Sequence, residues 1–157
     1  MARTTGTVVP FRKNFRLDDY IFYLMSHVEH LYSSGMAKTL ARNGISRSMW
    51  RCMAALTQHN GISIGELGQI AMIKQSTLSR LLMRMEQNGL IRRRARRGDE
   101  RITEVHLAAA GRDMLDRMFG IAGQVYARAT DGLSTREIEQ LRKTLKRMHA
   151  NLHGGHD

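Results

Sequence analysis

Residues 63–107 read SIGELGQIAMIKQSTLSRLLMRMEQNGLIRRRARRGDERITEVHL, and this stretch decides the fold. Its apolar residues recur at helical spacing in two short segments, separated by a turn at residues 71–73. We expect the second of these helices to run from Lys74 to Asn88. Two short strands are predicted after it, at residues 90–94 and 102–107, and an arginine-rich loop joins them. The predicted order is therefore helix, turn, helix and β-hairpin.

The position of the positive charge indicates a nucleic-acid partner. The 157 residues carry a formal net charge of +11, and residues 74–101 contain nine Lys or Arg against three Asp or Glu. A scattered, solvated basic surface would not concentrate charge in one motif. A helix-turn-helix followed by a cationic hairpin tip, here residues 92–101, is typical of a winged helix-turn-helix. The fold is thus expected to be mainly α with a small β-wing.

The helix over residues 74–88 is predicted to enter the major groove of DNA. Gln75 suits adenine and Arg80 suits guanine, while Lys74 lies at the helix start, where a phosphate is favoured. The candidate DNA-binding residues of this helix are Lys74, Gln75, Ser76, Thr77, Ser79, Arg80 and Arg84. A solvated helix face is the plainer interpretation of Arg80 and Arg84, and the neighbouring arginine tip disfavours it.

The hairpin tip suits the minor groove, because a narrow groove concentrates negative potential and attracts arginine. The candidate residues there are Arg94, Arg96, Arg97, Asp99 and Arg101. An unpaired carboxylate near phosphates would be repulsive, so Asp99 is expected to pair with an arginine. The alternative is a simple exposed salt bridge worth less than about 1 kcal/mol.

Helices flank this unit on both sides. The first is predicted from Leu17 to about Asn43, ending at Gly44, and it is apolar on more than one side. The next is predicted from Arg47 to Gln58 with Ser46 as its cap. Capping boxes open two later helices, Ser63 with Glu66 and Ser134 with Glu137. The residues predicted to face inward in the longer central helices are Trp50, Met53, Ala54, Leu56, Leu78, Leu81, Leu82 and Met85, and the short helix between them carries Ile64, Leu67 and Ile70.

The chain is expected to form one domain over residues 1–157. The helices after the hairpin have near-heptad apolar spacing, and a small winged domain offers too little surface for both of them to pack on. Residues 17–45 and 109–152 are therefore predicted to dimerise the protein, and residues 46–108 to form the DNA-binding lobe. Residues 1 to about 15 are expected to form a loose arm, and the final HGGHD to be disordered.

The order of elements and several residues resemble the MarR family of bacterial transcriptional regulators, over about Leu17 to Leu152. The family pattern of Asp-x-Arg followed by Leu-Thr-x-x-Gly is matched by Asp99, Arg101, Leu107 and Gly111, with Ala108 in place of Thr. The resemblance implies a symmetric dimer on a pseudopalindromic operator, usually a repressor released by a small ligand or an oxidant. It also implies that Arg101 enters the minor groove and that Asp99 orients it.

By the same resemblance, an effector pocket is expected between the dimer helices and the winged lobe. The candidate ligand-binding residues are Phe22, Ser26, His30, Met36, Arg47 and Trp50. Aromatic and methionine side chains suit an aromatic ring, and Arg47 suits a carboxylate or the phosphates of coenzyme A. The predicted effector is a small aromatic acid or its coenzyme A thioester. The alternative is that this aromatic and Met-rich face is core rather than pocket.

Two other kinds of site are weakly indicated. Cys52 lies among apolar residues, which disfavours the reactive thiolate of a peroxide sensor. Where the family's peroxide sensors carry their cysteine, this chain has Phe22. His27 and His30 are separated by a helical turn but have no cysteine partner, so no metal ligands and no cofactor are assigned.

The remaining function classes are less well supported. No glycine-rich phosphate loop, nucleophile motif or metalloprotease spacing occurs, so an enzyme is not predicted. A sequence-tolerant architectural DNA-binding protein would explain the charge but not the mixed polar face or the flanking helices. A membrane-surface protein is disfavoured, because the arginines lie on a hairpin rather than an amphipathic helix. The single cysteine and the lack of a signal peptide or apolar span favour the cytoplasm.

Overall fold

The computed structural model describes residues 15–154 and is mainly helical with one small antiparallel sheet. A 3₁₀ turn at Leu17–Asp19 precedes the first helix. The elements in chain order are α1 Ile21–Arg42, α2 Arg47–Gln58, β1 Ile62–Ser63, α3 Ile64–Ile70, α4 Gln75–Gln87, β2 Ile91–Arg96, β3 Asp99–Leu107, α5 Ala109–Ala129 and α6 Thr135–His153. The predicted mainly α fold with a β-wing is confirmed.

The first helix begins later than the sequence suggested and ends where it predicted. The 3₁₀ turn occupies the expected first residues, so α1 starts at Ile21 rather than Leu17. At the other end Gly44 adopts a φ of 69°, and Ile45 N donates to Leu40 O at 2.9 Å. This left-handed residue after the helix closes its last turn, as the glycine predicted. The proposed N-terminal arm lies almost entirely outside the described residues.

The core forms where α2, α4 and the sheet meet. Met53 of α2, Leu82 of α4 and Val105 of β3 are fully buried. Ser46 caps α2 by accepting a hydrogen bond from Met49 N at 3.2 Å, which confirms the predicted start. Three residues expected to face inward, Trp50, Ala54 and Leu81, are only partly buried because they lie at the edge of the buried stripe.

The helix-turn-helix is formed by α3 and α4. The predicted capping box is present, with Ser63 Oγ accepting from Glu66 N and the Glu66 carboxylate accepting from Ser63 N. Leu67 is fully buried, but Ile70 is 45% exposed. Of the apolar residues that the short helix carries, Ile70 is therefore the one that lies outside the core, at the end of α3.

The sheet has the order β1-β3-β2, and β1 was not predicted from the sequence. Ile62 pairs with Val105, so β1 joins the hairpin of β2 and β3 as a third strand of the sheet. The strands predicted over residues 90–94 and 102–107 extend into the hairpin tip expected at residues 92–101, since β2 and β3 are paired up to Arg96 and Asp99. The strand pairing continues through the arginines of β2 because their backbone groups form hydrogen bonds with β3. Only Arg97 and Gly98, with a φ of 90° at the glycine, make the turn.

The last two helices differ in how they contact the chain. At the start of α5, Gly111 lies against the backbone of Leu90, the residue just before β2, and an added Cβ would meet Leu90 O at 2.1 Å. Only glycine therefore allows α5 to approach this segment so closely. The capping box of Ser134 and Glu137 opens α6 as predicted. Within α6, which is described along its whole length, no residue is buried. The tail beyond Gly154 lies outside the described residues, and His153, predicted as tail, is helical.

Candidate DNA interface and effector cavity

The polar face of α4 is presented to solvent. Leu78, Leu82 and Met85 are fully buried on the opposite side, so the helix cannot rotate without exposing them. The residues predicted to bind DNA on this helix are all exposed, namely Lys74, Gln75, Ser76, Thr77, Ser79, Arg80 and Arg84. Ser79 Oγ donates to the backbone O of Gln75 at 3.2 Å, and the exposed Gln75 side chain suits a base edge.

At the wing, Asp99 and Arg101 form the pair that the sequence predicted. Asp99 Oδ1 accepts from Arg101 Nε at 3.0 Å and from Arg101 N at 3.2 Å. These hydrogen bonds from Arg101 hold the pKa of Asp99 below its ordinary value. Asp99 Oδ2 also accepts from Arg101 Nη2 at 3.3 Å, so the carboxylate holds the guanidinium itself, although the Arg101 side chain is 91% exposed. This arrangement suits an arginine that projects into a groove.

The other wing arginines fall into two groups. Arg94 and Arg97 are exposed, as a phosphate or groove contact requires. Arg96 is instead held by carboxylates, with its Nε donating to Glu104 Oε1 at 2.7 Å and its Nη2 lying 3.9 Å from Glu66 Oε2. Arg96 therefore links the wing to α3. Its contact with DNA stays a prediction.

A brace between α4 and the wing was missed by the sequence analysis. The Glu86 carboxylate accepts from Arg93 Nε and from Arg93 N, both at 2.8 Å, and lies 2.7 Å from Arg93 Nη2. These bonds lower the pKa of Glu86 below its ordinary value. The brace fixes α4 relative to β2. Its only sequence signal is an acid and a base on either side of the Asn88-Gly89 turn.

A cavity of about 160 Å³ lies between α1 and α2. Of the predicted ligand-binding residues, Met36, Arg47 and Trp50 line it. Phe22, Ser26 and His30 do not line it: they lie further toward the start of α1, where Ser26 Oγ donates to Phe22 O at 2.8 Å. The structure thus brings together half of the predicted set.

Two features of the cavity were not predicted. Arg47 forms an ion pair with Glu29 of α1, so its charge is already compensated. Arg51, one helical turn after Arg47 on α2, also lines the cavity. Its spacing of four residues from Arg47 places both side chains on one helix face. The spacing of four residues is the sequence signal that places Arg51 beside Arg47.

Cys52 has the properties of a core thiol. Its side chain is fully buried, and this burial raises its pKa to about 11, although the nearby Arg51 acts in the opposite direction. At neutral pH the group is therefore a protonated thiol rather than a nucleophilic thiolate. On α1, His27 packs its ring on Tyr23 with centroids 4.2 Å apart. Among residues 15–154, no group of three or more His, Cys, Asp or Glu is placed to hold a metal ion.

Comparison with known proteins decides the family. The MarR family profile matches residues 45–103, which include the helix-turn-helix and most of the wing. A MarR-family transcriptional regulator from Silicibacter pomeroyi, known from its crystal structure, is 33% identical, with a TM-score of 0.81 over 87% of this chain and 92% of that one. The chain belongs to the MarR family. It is thus a DNA-binding transcriptional regulator, and MarR regulators also dimerise and respond to small-molecule effectors.

Two curated relatives, both transcriptional regulators by name, match most of the chain. The transcriptional repressor IacR of Pseudomonas putida is 26% identical over 96% of both chains. The organic hydroperoxide resistance transcriptional regulator of Bacillus subtilis is 22% identical over 89% of this chain and 94% of its own. The family pattern has a threonine where Ala108 is the N-cap of α5, and this alanine supplies no side-chain hydrogen bond there. In the described part of the chain, no helix is long and apolar enough to cross a membrane.

Proposed function

We propose that this MarR-family protein is a homodimeric repressor that binds a pseudopalindromic operator and is released by a small aromatic acid or its coenzyme A thioester. One observation carries the DNA part of the proposal. The exposed polar face of α4 and the projecting Arg101 belong to one lobe, and the Glu86–Arg93 brace holds them in fixed relation. A major-groove helix and a minor-groove arginine can then engage the same operator half-site.

Uncovered apolar surface supports the homodimer. Val28 and Leu31 of α1 are 63% and 69% exposed, and Leu152 of α6 is 62% exposed. Large apolar side chains grouped on the terminal helices are typical of a surface that a second copy covers. Residues 17–45 and 109–152 remain our proposed dimerisation helices, and two copies would present two recognition helices to the operator.

Two further observations support repression and effector release. The Pseudomonas putida relative, which matches along nearly its full length, is named as a repressor. The cavity beside α2 combines Trp50 with arginine side chains, a lining that suits an aromatic anion. A redox-sensing alternative would need a reactive thiolate, and the buried Cys52 lacks that character. The single cysteine is compatible with the reducing cytoplasm that we expect for this protein.

A competition experiment tests the proposal. The full chain is titrated onto a labelled fragment from upstream of its own gene, with excess bulk DNA present. A specific regulator is expected to prefer the fragment by about a thousandfold or more. An architectural DNA-binding protein would be displaced by the bulk competitor, which would reject sequence-specific regulation. Addition of aromatic acids and thioesters to the surviving complex then tests release.

A further inference from the structure

One apolar side chain lies on the exposed face of α4. Met83 is 51% exposed, and within α4, which is described from Gln75 to Gln87, it is the only apolar residue that is exposed. Single exposed apolar residues are common on protein surfaces. Met83 differs because it lies on the polar helix face that is proposed to enter the major groove. It was not among the residues predicted from the sequence to bind DNA.

The rotation of α4 places Met83 near the middle of that face. Leu82 is fully buried on the opposite side of the helix. Met83 follows Ser76 by seven residues and Arg80 by three, and Gln87 follows Met83 by four. Side chains with these spacings lie on one helix face, and all four are exposed. A duplex that contacts Arg80 therefore also covers Met83.

The chemistry of Met83 limits what it can recognise. Its side chain has no hydrogen-bond donor, and its thioether sulfur is only a weak acceptor. Base edges in the major groove present donors and acceptors, and the C5-methyl group of thymine is the one apolar group among them. A polar edge pressed against Met83 would lose its water without gaining a partner. A thymine methyl group instead leaves water together with a flexible, polarisable side chain, which is favourable.

We propose that Met83 selects a thymine in each operator half-site by contact with the C5-methyl group of that base. This inference rests on the proposed operator binding by α4 and adds one base to those that the helix selects. Three residues of an α-helix span about 4.5 Å, and successive base pairs are about 3.4 Å apart. The thymine is therefore expected within about two base pairs of the base that Arg80 contacts.

Replacement of thymine by uracil tests the contact, because it removes only the methyl group. The full-length protein first selects its preferred sites from a randomised pool of DNA duplexes. Each thymine of the selected site is then replaced by uracil, at the equivalent positions of both half-sites, and affinity is measured by fluorescence anisotropy. At one position we expect binding to weaken by roughly fourfold for each methyl group and roughly fifteenfold for the pair. A selected site at which no uracil replacement weakens binding would overturn the inference.

Variants assign the response to Met83. Met83→Ala should bind the thymine duplex and that uracil duplex with equal affinity, whereas Met83→Leu should retain most of the difference because leucine keeps an apolar end. Alanine and leucine both favour helices and the position is exposed, so both variants are expected to fold, which circular dichroism verifies. Gln87→Ala is the matched control, because it shortens the next side chain on the same face and should keep the full preference for thymine.

Two results would contradict the assignment. A thymine preference as large in Met83→Ala as in the native protein would overturn it, even with weaker binding of both duplexes, because Met83 would then contact sugar or phosphate. Equal loss of the preference in Gln87→Ala would show that any change to this face removes it, and would also overturn the assignment.

The selection step separates this inference from the proposed function. Failure to enrich any sequence would reject sequence-specific regulation, and the thymine contact with it. An enriched site that contains no thymine, or whose thymine preference does not depend on Met83, would retain the sequence-specific regulator and overturn the Met83 contact alone.

Discussion

Substitution of Glu86 tests whether the wing is held against the recognition helix. In Glu86→Gln, one carboxylate oxygen is replaced by an amide nitrogen that opposes either the guanidinium or the backbone N–H of Arg93. One or two hydrogen bonds are lost, depending on the orientation of the amide, each worth roughly 0.5–1.5 kcal/mol; the loss of the charge on Glu86 adds to the cost, and the partial exposure of both side chains lowers the total. We expect the free energy of unfolding to fall by about 1–2 kcal/mol at neutral pH. The corresponding decrease in Tm is about 3–6 °C.

The pH dependence has a defined sign. Hydrogen bonds from Arg93 hold the pKa of Glu86 below its ordinary value, so folding favours the charged carboxylate. The stabilisation is fully present above the unfolded pKa of about 4.3 and is lost as the pH falls through the lower native value. The difference between the native protein and Glu86→Gln should therefore stay constant above about pH 5 and shrink as the pH falls from there to about pH 3.

Urea unfolding followed by circular dichroism measures this difference, with all samples at one protein concentration because dimerisation contributes to stability. Glu139→Gln is the matched control, since Glu139 pairs with Arg142 at 2.6 Å on the exposed surface of α6. Its loss is expected to cost less than about 0.5 kcal/mol. Equal costs for the two variants, or a Glu86→Gln cost that persists unchanged at about pH 3, would refute the brace.

Four further outcomes are expected. Arg101→Ala should weaken binding to every DNA sequence and reduce the slope of log affinity against log salt by about one unit, measured by anisotropy; unchanged affinity at moderate salt would exclude the groove contact. Gln75→Ala should relax preference at one operator position in a base-substitution series, whereas a uniform loss over all sequences would make Gln75 a phosphate contact. Leu31→Glu should shift sedimentation toward monomer, because it places a charge on the proposed dimer face, and an unchanged dimer would move that face elsewhere. Cys52 should resist alkylation by iodoacetamide at neutral pH until the chain is unfolded, and rapid labelling of the native protein would reopen the redox role.

Features that depend on residues close together in the sequence were predictable from it. The capping boxes of Ser63 and Ser134 each join residues three positions apart, and the residues concerned are specific to helix starts. Gly44 was predictable for the same reason, since few other residues tolerate its φ of 69°. The exposed face of α4 followed from apolar spacing, because burial of one side of a helix determines what the other side presents.

Part of the candidate site was predictable by its pattern and part was not. Asp99 and Arg101 are two residues apart, so their pairing needed little knowledge of the fold. Arg96 was grouped with the other wing arginines, yet Glu104 and Glu66 hold it. Composition shows that an arginine is present but not which carboxylates the folded backbone brings beside it.

The sequence by itself determined the helix caps at Ser46, Ser63 and Ser134, the succession of helix, turn, helix and hairpin, and the cationic lobe, because these depend on local propensity, periodicity and charge. Only the tertiary structure decided that β1 pairs with a strand more than forty residues later, with Ile62 opposite Val105. It also decided that Arg47 is compensated by Glu29, whereas the buried Arg51 Nη2 atom has no hydrogen-bond partner among residues 15–154. Side chains distant in sequence compete for the same partners once the chain is packed. Whether a charge is satisfied is therefore a property of the folded arrangement and not of the residue.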